Sequence, residues 1–157
     1  MRHAKSDWSM PGQKDFERQL NARGLSDAPR MGNKLFELGV KPDLIISSPA
    51  ERAKLTAERV AEQLKYDTDS ILFEPEVYES SVRTLLGIVN QLDSKYKEVI
   101  IFGHNPTHTY ICEYLTKEVI GNIPTAGAVC IEFESDNWAE VSEGTGKMKW
   151  FLYPKGL

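Results

Sequence analysis

Residues 43–64 read DLIISSPAERAKLTAERVAEQL, and this stretch decides the fold class. Asp43 to Ser47 is a short, apolar, β-branched run of the kind that forms a buried strand. The residues after it switch to helical spacing, with Ala53, Ala57, Val60, Ala61 and Leu64 on one face. Ser48 as N-cap, Pro49 at the first helical position and Glu51 two residues on predict a capping box. A buried strand running straight into an amphipathic helix is half of a βαβ unit.

The same alternation extends in both directions. Upstream, residues 9–24 are polar and broken by Pro and Gly, which predicts a surface loop. A helix capped by Ser26 follows, with Ala28, Met31, Leu35 and Leu38 inward, Pro29 in its first turn and Gly39 at its end. Downstream, a strand over 70–73, a helix over 81–92 and a strand over 98–102 (EVIIF) come in turn. GHNP then leads into a helix capped by Asn105 with Pro106 at its first position, burying Ile111, Cys112 and Leu115. Residues 128–133 and 149–153 predict two further strands around a turn-rich segment. Apolar strands alternating with helices predict a three-layer α/β/α fold, a mostly parallel sheet with helices on both faces and room for an antiparallel strand at one edge. With 157 residues and no linker or repeat, the chain reads as one domain, 1–157.

Bulk composition narrows the function. A net charge of −4 argues against nucleic acid or a membrane surface as partner, since both attract basic faces. There is no long apolar run and no signal-peptide pattern, and the two cysteines, Cys112 and Cys130, read as buried free thiols in a reducing cytoplasm. The polar residues of interest fall where strands meet helices, which is where open α/β sheets bind ligands. Arg52 lies in the first turn after DLIISS, and His104 with Asn105 follows EVIIF directly. Arg2-His3 joins them only if a strand precedes position 2. Arginines, histidines and helix N-termini on one rim make a trap for an anion such as a phosphoryl group. His104 and His108 are spaced i, i+4, but Pro106 stands between them, the metalloprotease glutamate is lacking and no third ligand is evident, so no metal is assigned. His108 reads as a rim residue, and Tyr110, Tyr114 and Trp138 as packing or surface aromatics.

Taken together, RHAKSDW at 2–8, DFERQLNARGLSDAPRMG at 15–32, PDLIISSPAERAKLTAE at 42–58, FGHNPTH at 102–108, IPTAGAVCIEF at 123–133 and the W-x-x-V-x-x-G-x-G pattern at 138–146 resemble the histidine phosphatase, or phosphoglycerate-mutase-like, superfamily. The likeness is greatest to its short SixA-type phosphohistidine phosphatases. The resemblance implies that His3 is the nucleophile and is phosphorylated, that Arg2 and Arg52 hold the phosphoryl oxygens, and that His104 hydrogen-bonds the same group. It places the general acid at Glu79 and makes Ser6 and Ser9 substrate-positioning candidates, with Asn105 on the phosphate-binding rim. Fixed positive charge then does the work of a metal, and no cofactor is implied. The substrate implied is a phosphohistidine on a protein, with a small phosphorylated metabolite as the alternative and a non-catalytic phosphate- or phosphoprotein-binding module as a third reading. Two departures stand out. Ala4 occupies a position where many relatives carry glycine, and only Met1 precedes the Arg-His pair, where family chains have a central apolar strand. The expectation is that the first central strand is missing from this sequence, that the natural chain begins upstream, and that a chain starting at Met1 has a poorly ordered pocket and weak activity.

Overall fold

Ile45 and Ile46 are neighbours that point to opposite faces of one strand, and each anchors its own core. A computed structural model describes residues 1–157. Strand β1 (Leu44–Ser47) lies at the centre of a three-stranded parallel sheet, between β2 (Leu72–Phe73) and β3 (Val99–Phe102). Ile45 faces helices α1 (Ala22–Glu37) and α2 (Glu51–Gln63), packing with Leu35, Ala57, Val60 and Phe102. Ile46 faces α3 (Val82–Asn90) and α4 (Thr107–Thr116), packing with Leu85, Val89, Ile111 and Leu115. The period of two along the strand therefore produces the three layers the sequence predicts. Strands β4 (Ala128–Phe133) and β5 (Gly146–Leu152) form an antiparallel ribbon beside the parallel sheet. Phe102, fully buried at the site end of β3, contributes about 3–5 kcal/mol by the usual cost of truncating a core aromatic. No helix is long and apolar enough to cross a membrane.

Met1 to His3 thread between β3 and β4. The Met1 amine donates to the Ile101 carbonyl at 2.7 Å, Gly103 N–H donates to Met1 O at 3.0 Å, and His3 N–H donates to Gly103 O at 3.0 Å. On the other side Arg2 N–H donates to Gly127 O at 2.9 Å and Ala126 N–H to His3 O at 2.9 Å. Three residues thus form a short piece of strand, parallel to β3 at Arg2 and Gly103.

Local details differ from expectation. Helix α1 begins at Ala22, earlier than Ser26, because the Asn21 carboxamide accepts from Gly24 N–H and caps it; Pro29 therefore lies inside the helix, and the surface loop ends sooner than residue 24. The Ser48 capping box does not form. Ser48 Oγ accepts from Ala50 N–H at 3.2 Å instead, and α2 starts from Ala50 with no side-chain cap. Only Leu72 and Phe73 of the 70–73 stretch pair as a strand, since Thr68–Ser70 coils into a 3-10 turn. Helix α4 starts at Thr107, and Asn105 caps it from one residue further out, accepting from Thr109 N–H. Strand β5 begins at Gly146, three residues ahead of expectation. His108 is buried rather than on the rim, its Nε2 donating to Ile101 O at 3.2 Å, while Cys112 and Cys130 are free but only half-buried.

Candidate active site

The carboxyl ends of β1 and β3 and the N-terminal strand stub deliver their next residues to one place. His3 is buried, its Nδ1 lying 2.7 Å from the carbonyl of Ala4, so Nδ1 carries the proton and donates. That leaves the Nε2 lone pair free. Arg52, in the first turn of α2, points its Nε–H at this nitrogen from 3.4 Å. The backbone under the imidazole is fixed from the same helix: Ala4 N–H donates to Thr56 Oγ1, which donates to the Arg52 carbonyl. Ala4 is itself fully buried, and its methyl is accommodated.

His104 enters from the end of β3, with its ring centroid 5.3 Å from that of His3. Its Nε2 is 2.8 Å from Ser48 Oγ. Ser48 Oγ, which also accepts from Ala50 N–H, has both a second lone pair and its own proton for this bond, so either tautomer of His104 satisfies it. The His104 Nδ1 is buried and has no partner. Arg2 anchors one arm of its guanidinium on the Ile123 carbonyl at 2.8 Å, and its buried Nε is likewise unpartnered. Buried polar atoms left unpaired are costly and rare in folded proteins, so these two unpartnered nitrogens mark a place for a hydrogen-bonding ligand.

Electrostatics keep both imidazoles neutral. Burial, reinforced by His104, Arg52 and Arg2 and opposed by the Ala4 hydrogen bond, brings the His3 pKa down to about 3. Burial and then Arg52 bring His104 down to about 4. Burial also lowers Arg2 from its ordinary value. A neutral imidazole surrounded by cations is poised to act on an anion.

Sequence reasoning missed three residues that complete the wall. Asp15 Oδ2 accepts from Arg52 at 3.0 Å and from the Tyr78 hydroxyl at 2.7 Å, while Oδ1 accepts from Arg18 Nε at 3.1 Å. Arg52 also donates to the Asp15 backbone carbonyl at 2.7 Å. Burial raises the Asp15 carboxyl, but the hydrogen bonds from Tyr78 and Arg52 outweigh it and bring the pKa to about 2. Tyr78 closes the side, its ring 5.5 Å from His104 and 5.1 Å from Phe16. The spacing D-x-x-R at 15–18 was the available signal; it was hidden in a segment that composition marks as loop.

Other sequence candidates are placed less centrally. Ser6 is buried and accepts from Arg18 at 2.6 Å, whereas Ser9 is exposed and its N–H donates to Asp7. Asn105 spends its amide on Asn122 and the Ile123 carbonyl, holding the loop that carries Arg2's anchor. Glu79 follows Tyr78 with its side chain exposed and its backbone in the left-handed region at φ 54°.

A parallel α/β sheet whose carboxyl edge gathers two histidines and two arginines defines a phosphoryl-handling α/β protein. The particular family is shown by sequence: residues 1–87 match the histidine phosphatase superfamily (branch 1), and the chain belongs to it. An uncharacterized chloroplastic protein of Arabidopsis thaliana is 26% identical over 97% of this chain and 73% of its own length. A 2,3-bisphosphoglycerate-dependent phosphoglycerate mutase of Bartonella henselae is 30% identical, over 56% of this chain and 44% of that protein. Among solved structures, the Agrobacterium tumefaciens protein assigned as phosphohistidine phosphatase SixA superposes with a TM-score of 0.81 at 26% identity, covering 98% of this chain and 94% of that one. The protein histidine phosphatase SixA solved with tungstate shares the fold at a TM-score of 0.85 and 22% identity, covering 99% and 96%. The chain is a phosphatase of this superfamily, with phosphorylated compounds as its substrates.

Proposed function

We propose that the protein is a phosphohistidine phosphatase that hydrolyses a phosphoryl group carried on a protein histidine, through a phosphorylated intermediate on His3. The observation that carries this reading is the free Nε2 of His3, faced by Arg52 Nε–H at 3.4 Å, together with two buried unpartnered nitrogens, Arg2 Nε and His104 Nδ1. In the first step Nε2 attacks phosphorus, an N–P bond forms and the bond to the leaving group breaks. Arg2, Arg52 and the His104 N–H bear on the equatorial oxygens, where charge is spread during transfer. In the second step water attacks phospho-His3, the N–P bond breaks, and inorganic phosphate leaves with the water-derived oxygen while His3 returns neutral.

Two features favour a phosphohistidine over a sugar or alcohol phosphate. The P–N bond of phosphohistidine is labile and its imidazole leaving group needs little help from an acid, which fits a site whose candidate acid, Glu79, is exposed and outside the hydrogen-bond network. Trp8 and Met10, which follow the Arg-His segment, are exposed and offer apolar surface to a protein substrate. Likeness to the structures named phosphohistidine phosphatase adds support. The test is rapid-quench labelling with a phosphohistidine-bearing protein, run beside a panel of phosphorylated metabolites. Acid-labile phosphate on His3, absent in His3→Ala together with a loss of turnover of at least ~10³-fold, is expected. Faster turnover of a metabolite than of the phosphohistidine protein would replace the substrate assignment, and turnover without any label would end the covalent mechanism.

A further inference from the structure

Tyr78 stands in the wall of the pocket with its one hydroxyl proton already committed. The hydroxyl donates to Asp15 Oδ2 at 2.7 Å, and the ring is held edge-on to Phe16 at 5.1 Å and to His104 at 5.5 Å. A phenol that has given its proton to one partner has only lone pairs to offer a second. Burial, then the bond to Asp15, push this hydroxyl up to about 12, so it keeps its proton. Asp15 is itself fully engaged. Its Oδ1 faces Arg18 Nε and Nη2, both at 3.1 Å, and its Oδ2 accepts from Arg52 as well as from Tyr78. Arg2, Arg18 and Arg52 are the cations around the site, and Asp15 is the anion bonded among them. What stays open on the Asp15 side is the Tyr78 oxygen.

We propose that Tyr78 Oη is a leaving-group subsite, which accepts a hydrogen bond from the N–H of a protonated phosphohistidine ring and so selects that substrate over phosphate esters. The assignment rests on the phosphohistidine reading above and adds the residue that recognises the departing ring. An imidazole with phosphorus on one nitrogen has an N–H only when its other nitrogen is protonated. As His3 Nε2 attacks phosphorus, the N–P bond to that ring breaks and its electron pair returns to the ring nitrogen. The ring then leaves as neutral imidazole, keeping the N–H it brought, and no acid has to deliver a proton. An unprotonated ring would turn a lone pair toward the Tyr78 oxygen, and an ester leaving group lacks the ring N–H altogether. A cationic ring is disfavoured beside Arg2 and Arg52 and favoured beside Asp15, whose charge reaches it through the shared hydroxyl. Arg52 ties the two ends together, its Nε facing His3 Nε2 at 3.4 Å while its Nη2 holds Asp15 Oδ2. Phe16, exposed beside Tyr78, offers the ring a flat apolar neighbour.

The test uses Tyr78→Phe, which keeps the aromatic ring and removes only the acceptor. Values of kcat/KM are measured for the wild type and the variant on N-phosphoimidazole and on p-nitrophenyl phosphate, whose leaving group has no N–H. Any loss that comes through Asp15 and Arg52 falls on both substrates and cancels in their ratio. The proposal expects the ratio, N-phosphoimidazole over p-nitrophenyl phosphate, to drop at least ~10-fold in the variant. An unchanged ratio overturns it, since Tyr78 then only braces Asp15. If the wild type itself fails to turn over N-phosphoimidazole, the phosphohistidine reading falls and the subsite falls with it. A wild type active on N-phosphoimidazole, with a variant of the same ratio, sinks the subsite alone.

Discussion

His3 keeps its lone pair available because its one proton is committed to the Ala4 carbonyl and a second would be placed among Arg2, Arg52 and His104 in a buried site. Histidine NMR should therefore find the His3 and His104 rings of the unliganded protein neutral at pH 5.5, where free imidazole is mostly protonated. A ring titrating near 6.5 at either position would contradict the electrostatics described. Asp15 acts one step removed, by aiming Arg52. Its ion pair is half-exposed and adds little to stability, so Asp15→Asn should change Tm by less than ~2 °C. The same variant should lower kcat/KM about 10-fold, mainly through KM, because Arg52 loses the anchor that turns its Nε toward His3. A fall in Tm matching the fall in activity would reduce Asp15 to a structural residue.

Elements aim these side chains by close approach. Gly24 opens α1 where the helix meets the N-terminal segment, and a Cβ there would lie 2.2 Å from the Lys5 carbonyl oxygen. Gly24→Ala should therefore cost about 1–3 kcal/mol in urea unfolding and displace the stretch that carries His3, lowering turnover as well. Helices and parallel strands were readable because their signal is periodic: DLIIS and EVIIF alternate between the two cores, and the Ala53–Leu64 stripe is continuous. Caps were read less well. Asn21 outcompeted Ser26, and Ser48 was drawn from its expected helix cap to His104, because a hydroxyl bonds whichever partner tertiary structure brings near. His3, Arg52 and His104 were legible as residues at strand–helix junctions, and the structure brings them together. The Asp15–Tyr78 wall spans 63 residues of sequence and has no local pattern to announce it.

For the whole molecule, the buried neutral histidines make folding proton-linked. Unfolded imidazoles titrate near 6.5, but folded His3 does so at about 3 and His104 at about 4. Above the unfolded value these imidazoles are neutral in both states and contribute no pH dependence. Below it, the unfolded chain gains protons that the folded chain refuses, so stability falls as pH drops toward about 4. Asp15, lowered to about 2 but half-exposed, adds only a small further contribution, present above the ordinary carboxylate value and lost only in stronger acid. Thermal scans should show Tm falling by roughly 5–10 °C between pH 7 and 4.5, and much of that loss should vanish in a His3→Ala, His104→Ala double variant.

The pairing of residues 1–3 with 101–103 and 126–127 also sets a timetable for synthesis. The proposed nucleophile leaves the ribosome early, yet the strand-pairing groups of Gly103 and Ala126 that hold it emerge a hundred or more residues later. Until Gly127 is out, Arg2 lacks its far-wall partner and His3 has no closed pocket. Contacts of such long sequence separation form late and slowly. A nascent chain halted before that point should carry the histidine without its chemistry, and phosphatase activity should switch on only as the last third of the chain is made.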